Sequence, residues 1–171
     1  MSQTIEKIQR KSGTIRLVVI AITALVIVFN IYQLVINNQI NYFDNALFTI
    51  LWTSDQVNQW VLLLASAPIL LFVVAAIYWV CKLLSLFEKG MFFSHQCFRC
   101  FINFIFLKIA STVYYIALTL GVGFWHKAIF GDAEVVLTID FDELITLGLL
   151  AIVAYLLKAA KEIEDENKEF I

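Results

Sequence analysis

The segment that decides the fold is IRLVVIAITALVIVFNIYQLVI, residues 15–36. Apolar side chains would surround a helix formed by this segment on every side, which is typical of a membrane-spanning helix and not of an amphipathic one. Basic residues precede the segment, as they do in a signal peptide. The apolar core is too long for a signal peptide, however, and no small-residue cleavage site follows it. We therefore expect a retained signal anchor.

Three more apolar runs follow, at residues 59–81, 101–124 and 141–158. The last has a short apolar centre, so its flanking residues must extend it, and lysines at its end would snorkel to the headgroups. The pattern predicts an all-α fold, an integral membrane bundle of four transmembrane helices. We interpret residues 1–171 as a single membrane domain.

The composition excludes a sizeable soluble domain. Apolar residues make up 61% of the 171 residues and charged residues only 15%, whereas soluble domains carry about 25% charged residues. Four crossings of about twenty residues each would use roughly half of the chain. The ends and loops that remain are too short to build a separate enzyme domain.

Positive charge alternates along the chain and predicts the orientation. Lys and Arg concentrate before the first run, between the second and third runs, and after the fourth, whereas the other two loops hold a single cation, Lys127, among several acids. Cytoplasmic loops carry the excess of Lys and Arg. We therefore expect both termini and the middle loop to be cytoplasmic, in agreement with an even number of crossings.

The first outer loop, residues 37–58, is more than a polar connection. Apolar residues recur there at helical spacing, and tryptophans near its end suit an interfacial belt. The pattern predicts a short helix lying on the outer leaflet. The residues concerned are Ile40, Phe43, Leu47, Ile50, Leu51, Trp52 and Trp60.

Four residues have predicted structural roles. Pro68 should kink the second helix, because neighbouring helices and hydroxyl side chains can satisfy the carbonyl that a proline leaves free. Gly90 can adopt the left-handed conformation that ends a helix, and Ser94 can cap the next one. Lys108 lies inside the third run, where it would snorkel or pair with Glu88 or a lipid phosphate.

The C-x-x-C pair Cys97 and Cys100 raises two chemical alternatives. Quinone-linked thiol oxidases use such pairs, but this one is predicted to face the reducing cytoplasm. With Cys81 and His95 the pair has the ligand types for zinc, yet one helix would have to supply three of the four ligands. We therefore predict no catalytic residue, no metal and no cofactor, and a structural role for the cysteines.

The tail, residues 159–171, is predicted to continue the fourth helix into the cytoplasm. The acidic residues of the tail lie near its C-terminal end, where the helix dipole disfavours negative charge. We therefore expect a basic group to bind the tail. The tail could dock onto the protein's own Lys82, Lys89 and Arg99, or present an acidic amphipathic surface to a cytoplasmic partner. The candidate partner-binding residues are Glu162, Ile163, Asp165, Glu166, Glu169 and Phe170.

The octet FEKGMFFS, residues 87–94, resembles the middle-loop signature of a family of small bacterial four-helix membrane proteins catalogued as a domain of unknown function. Ile139-Asp140 before an apolar helix, and Glu166-Asn167 near the end, resemble that family's C-terminal half. The resemblance implies a bacterial inner-membrane location. Members are typically encoded beside a small helix-turn-helix regulator of the phage-repressor type. The family has no established functional residues, and Cys97 and Cys100 depart from its pattern.

By analogy with that family, we expect a non-enzymatic inner-membrane protein that modulates or sequesters a cytoplasmic partner, a transcription regulator, without contacting nucleic acid itself. A small-solute or lipid transport component is the alternative, and a membrane thiol oxidoreductase is the second alternative. The apolar centres of the predicted spans, of which the fourth is residues 144–157, contain no Asp or Glu, which counts against an ion pathway. The expected partners are the lipid bilayer and that regulator, and a homo-oligomer remains open.

Overall fold

The computed structural model of the protein describes residues 3–92, 94–131 and 141–169. Every regular element in these ranges is a helix, so the prediction of an all-α fold is confirmed. The helices are α1 (Gln3–Asn37), α2 (Ala46–Thr53), α3 (Gln59–Glu88), α4 (His95–Phe130) and α5 (Phe141–Glu169).

Three of the described helices are long and apolar enough to cross a membrane: the Lys7–Asn37 part of α1, the whole of α3 and the whole of α4. At 1.5 Å per residue, α3 is about 45 Å long, which exceeds the roughly 30 Å of a hydrocarbon core. The apolar stretch of α5, residues 144–157, is shorter. These lengths support the predicted class, a membrane protein.

The helices α3 and α4 extend beyond the predicted spans 59–81 and 101–124, and capping groups mark their observed ends. Asn58 caps α3 by accepting a hydrogen bond from the Trp60 amide, and Ser94 caps α4 through the Cys97 amide. After α3, Gly90 adopts a φ of 76°. The left-handed conformation is open to glycine without steric cost and ends a helix here.

The helices pack in series: α1 lies against α3, α3 against α4, and α4 against α5, while α2 packs on α4. The larger buried cluster joins α2 to the α3 and α4 segments near it, through residues such as Phe48, Leu62 and Val122. A smaller cluster joins the other ends of α3 and α4. The two clusters hold opposite ends of the α3–α4 pair together.

The short helix α2 forms within the predicted loop and packs its apolar side chains on α4, and its location at the outer leaflet stays a prediction. Asn45 caps it by accepting a 3.0 Å bond from the Phe48 amide, so α2 begins later than the apolar spacing suggested. Its Trp52 is 5% exposed, and its indole Nε1 donates a 2.7 Å bond to the Asn38 carbonyl. Trp52 is therefore a core residue, whereas Trp60 is exposed.

Pro68 lies inside α3 and leaves the Leu64 carbonyl without its usual amide donor. Across the interface with α4, the Tyr114 hydroxyl donates a 2.6 Å bond to the adjacent carbonyl, that of Ala65. A hydrogen bond from the neighbouring helix α4 therefore reaches the backbone one residue after the carbonyl that the proline leaves free.

The Ser66 hydroxyl ties the same turn to the loop that follows α1. Ser66 is fully buried, and its Oγ donates a 3.2 Å bond to the Leu63 carbonyl. The same Oγ lies 2.8 Å from the Tyr42 hydroxyl. The proline turn is thus held from two sides, by α4 and by the loop before α2.

Candidate functional site

The candidate partner surface lies on the C-terminal part of α5. This helix runs without interruption from Phe141 to Glu169, although its apolar stretch ends at Leu157, before Lys158. The twelve residues after Leu157 add about 18 Å of helix. The chain therefore carries a helical extension beyond its last apolar segment.

Acidic positions recur along this extension at helical spacing. Positions 165, 166 and 169 lie three, four and seven residues after position 162, which places all four on one side of a helix. We call this side the acidic face. Glu162 is exposed and lies 3.8 Å from Lys158 Nζ, and both side chains are 64% exposed. An ion pair this exposed contributes little, so Glu162 stays accessible to a partner.

The remaining candidate residues can be placed only by their position in the chain. Ile163, Asp165, Glu166 and Glu169 lie within α5, but their side chains lie outside the described residues, as does the whole of Phe170. The acidic face is therefore defined by the helical backbone and the sequence pattern.

The basic residues considered as an internal dock for the tail cluster around the α3–α4 connection. Lys82, Lys89 and Arg99 are all exposed. Lys82 Nζ lies 4.9 Å from the ring centroid of Trp79 and 5.8 Å from that of Tyr78. These distances are within the range of cation–π attraction, which holds this lysine against α3.

The N-terminal part of α1 meets the end of α3 through a charged contact. Arg16 Nη1 lies 2.8 Å from Glu88 Oε2, and each side chain is 32% exposed. Gly13 faces the same carboxylate so closely that a β-carbon there would collide with it. The structure therefore pairs Glu88 with Arg16. Lys108 is half-buried on α4, and its snorkelling or pairing stays a prediction.

The cysteines lie in an apolar environment at this end of α3 and α4. Cys97 and Cys100 are 4% and 2% exposed and cluster with Leu86. The Cys97 thiol donates a 2.7 Å bond to the Met91 carbonyl. Buried cysteines in such surroundings behave as small hydrophobic residues, which favours a packing role for this pair.

The zinc hypothesis required Cys81, His95, Cys97 and Cys100 to converge. All four residues are described, and His95 is exposed while Cys97 and Cys100 are buried. Among the described residues, no three His, Cys, Asp or Glu side chains come together in an arrangement that could hold a metal. The proposed ligand set is therefore not assembled.

Two buried polar atoms on α4 were missed by sequence reasoning. His126 is 7% exposed and its ring centroid lies 4.7 Å from that of Phe130. Its Nδ1 has no hydrogen-bond partner, and neither does Oγ1 of Thr119, seven residues earlier on the same side of the helix. A histidine within a long apolar helix is the sequence signal that could have drawn attention to this position.

In a comparison with protein-family models, residues 52–171 match the family described as "Protein of unknown function (DUF2975)". The chain belongs to this family. The match begins in α2 and includes α3, α4 and α5, so the proline turn, the cysteine cluster and the acidic face all lie within the DUF2975 region. No curated protein and no solved structure matches the chain significantly.

Proposed function

We propose that this DUF2975 protein is a non-enzymatic, multi-pass protein of the bacterial inner membrane that binds a cytoplasmic transcription regulator and modulates or sequesters it. The observation that carries the proposal is the helical extension of α5, which continues to Glu169 beyond its apolar stretch. An amphipathic helix that projects from a membrane anchor offers a partner a preformed binding surface.

The proposed topology has four crossings, by α1, α3, α4 and α5, with both termini in the cytoplasm. The asymmetry of Lys and Arg supports this orientation. The apolar stretch of residues 144–157 is short, so α5 would cross with help from adjacent residues and from snorkelling of Lys158. In this orientation the acidic face lies in the compartment that contains DNA-binding proteins.

Reporter fusions test the topology directly. Fusions at residues 90 and 171 should show cytoplasmic activity, and fusions at Asn45 and Gly131 should show external activity. External activity at residue 171 would place the acidic face on the wrong side of the membrane and end the proposal.

Charge reversal tests the partner surface. We would express full-length protein carrying Glu162→Lys, Asp165→Lys, Glu166→Lys and Glu169→Lys, and use it to capture the small helix-turn-helix protein that the family resemblance implies. Binding should be lost, and binding of the unaltered protein should weaken with salt because exposed charges are screened. Several pairs are needed, since each contributes about 0.2–1 kcal/mol.

The matched control neutralises two exposed acids elsewhere, Asp44→Asn with Asp55→Asn, and should leave capture unchanged. A chain truncated after Lys161 should insert and stay folded in detergent but capture nothing. Capture that survives the four reversals would show that the acidic face is not the binding surface. If truncation instead unfolds the protein in detergent, the tail is part of the bundle and the proposal fails.

A further inference from the structure

A polar pocket lies between the loop that follows α1 and the short helix α2. The loop supplies residues 38–41 of its lining, and α2 supplies Phe48, Thr49, Trp52 and Thr53. The pocket begins directly after Asn37, the last residue of the segment of α1 that is long and apolar enough to cross a membrane. It therefore lies at the end of an apolar span, where polar molecules can reach it.

The lining of the pocket carries no charge. Among the described residues that line it, none has an ionisable side chain. An ionised ligand would lose hydration on entering and would find no group of opposite charge to compensate for that loss. The pocket therefore favours a neutral ligand.

The rim of the pocket holds hydrogen-bonding groups that the protein does not use. The side chains of Asn38, Gln39 and Asn41 are exposed, and within the described part of the chain none of their amides has a hydrogen-bond partner. Each amide offers two N–H donors and one oxygen acceptor. The hydroxyls of Thr49 and Thr53 donate to backbone carbonyls one turn earlier and keep the ability to accept. A neutral ligand that matches this rim must both donate and accept, as hydroxyl groups do.

The inner wall of the pocket is apolar. Phe48 and Trp52 are 1% and 5% exposed, and their rings are stacked, with centroids 6.2 Å apart and planes 15° from parallel. Ile40 packs against the same cluster and also lines the pocket. A ligand that fits both the wall and the rim has C–H groups on one side and hydroxyl groups on the other. A sugar ring has this arrangement, with C–H groups on its faces and hydroxyls around its edge.

The backbone around the pocket is held in place by the protein itself. The indole N–H of Trp52 donates a 2.7 Å bond to the Asn38 carbonyl. Asn38 has a φ of 50°, a left-handed conformation that asparagine adopts more readily than most residues. The Gln39 amide donates a 3.2 Å bond to the Gln33 carbonyl. Because this backbone is already ordered, a ligand does not have to order it on binding.

We propose that this pocket binds the ring of a neutral sugar. The side-chain amides of Asn38, Gln39 and Asn41 form hydrogen bonds to its hydroxyls, and its C–H groups pack against the wall of Phe48 and Trp52. Two sources present this chemistry at the end of a membrane span, a free saccharide and the headgroup of a glycolipid. The proposal does not rest on the partner surface of α5.

Saturation-transfer NMR on the full-length protein tests the site. The protein is purified in a detergent without a sugar headgroup, and the probes are glucose, galactose, mannose and N-acetylglucosamine. At least one of these sugars should bind saturably, with the ring C–H protons receiving most of the transferred magnetisation. If none of them binds saturably at up to about 50 mM, a concentration well above a millimolar dissociation constant, the proposal is overturned.

Isosteric variants test the amides of the rim. Gln39→Met and Asn41→Leu keep the approximate size of each side chain but remove its hydrogen-bonding groups, so each should weaken binding of the same sugar about five- to tenfold. The matched control is Gln56→Met, an exposed glutamine outside the lining, which should leave the affinity unchanged. Equal affinities of the Gln39 and Gln56 variants would overturn the proposal.

A second pair of variants blocks the pocket from α2. Thr49→Phe fills it and should abolish saturable binding, while Ile50→Phe, at an exposed neighbouring position outside the lining, should leave binding intact. Thr53→Phe fills the pocket from the next turn and serves if Thr49→Phe does not fold. Binding that survives the filled pocket would place the sugar elsewhere and overturn the proposal.

Competition identifies the source of the sugar and excludes other ligands. A glucosyl diacylglycerol in nanodiscs that displaces the free sugar at lower concentration assigns the site to a glycolipid headgroup, and a failure to displace it assigns the site to a free saccharide. Both results support a sugar site. Tighter binding of uridine than of every sugar would indicate a planar base, and tighter binding of a phosphorylated glucose would indicate an anion site. Either of these two results would overturn the proposal.

Discussion

Arg16 Nη1 lies 2.8 Å from Glu88 Oε2, so the cation at the start of the first apolar run is neutralised by the last residue of α3. Both side chains are about one-third exposed, which lets water and headgroups screen the pair. The contact matters more for geometry than for energy, because it joins the start of the first apolar run to the end of α3.

The first prediction concerns the coupling of this pair. Arg16→Gln and Glu88→Gln should each lower the free energy of unfolding in detergent by about 0.2–1 kcal/mol, and the double variant should lose no more than the larger single loss. The control is Lys158 with Glu162, a longer and more exposed pair, whose coupling should be near zero. Strictly additive losses at Arg16 and Glu88 would contradict the pairing.

The second prediction concerns the turn after α3. Gly90→Ala should lower stability by about 1–2 kcal/mol, because alanine is disfavoured in the left-handed conformation, and its β-carbon would lie 2.6 Å from Gln9 Nε2. Gly121→Ala, at a helical position with nothing within 4 Å, should instead stabilise by about 0.5–1 kcal/mol. Thermal denaturation followed by circular dichroism measures both. Equal effects of the two substitutions would rule out a conformational role for Gly90.

The third prediction concerns the proline turn. Tyr114→Phe removes the hydrogen bond to the Ala65 carbonyl and should cost about 0.6 kcal/mol, the average for hydrogen bonds between membrane helices. Tyr32→Phe, at an exposed position of α1, is the control and should be neutral. The measurement is the free energy of unfolding of both variants in mixtures of detergent and denaturant. Equal values for the two variants would mean that the proline turn does not depend on α4.

The fourth prediction concerns the unpartnered hydroxyl on α4. Thr119→Val removes a buried oxygen that has no hydrogen-bond partner and should raise the free energy of unfolding by about 1 kcal/mol. Thr23→Val breaks a bond to the Val19 carbonyl and should be neutral or mildly destabilising. A loss of stability in Thr119→Val would instead show that a bound water or ligand satisfies this oxygen.

The sequence predicts the helices well because membrane helices are selected by apolar length. The runs at residues 15–36, 59–81 and 101–124 each fall inside an observed helix. The sequence also predicts the roles of two residues in the α3–α4 turn: Gly90 has a positive φ and Ser94 caps α4. Both features depend on interactions within a few residues, which a sequence pattern can contain.

Features that depend on tertiary register could not be predicted in this way. Trp52 and Trp60 have the same interfacial preference, yet one is buried and the other exposed, because the loop before α2 turns the first toward Asn38. The choice of Arg16 as the partner of Glu88 likewise requires the relative height of α1 and α3.

The serial packing of α1, α3, α4 and α5 has a consequence for biogenesis. Each long helix after α1 packs against a helix that precedes it in the chain. Because synthesis proceeds from the N-terminus, the packing partner of each of these helices is made before the helix itself. Such a chain can assemble in the membrane during synthesis, one helix at a time. The last helix to arrive would be α5, so the acidic face would become available only after the rest of the bundle has formed.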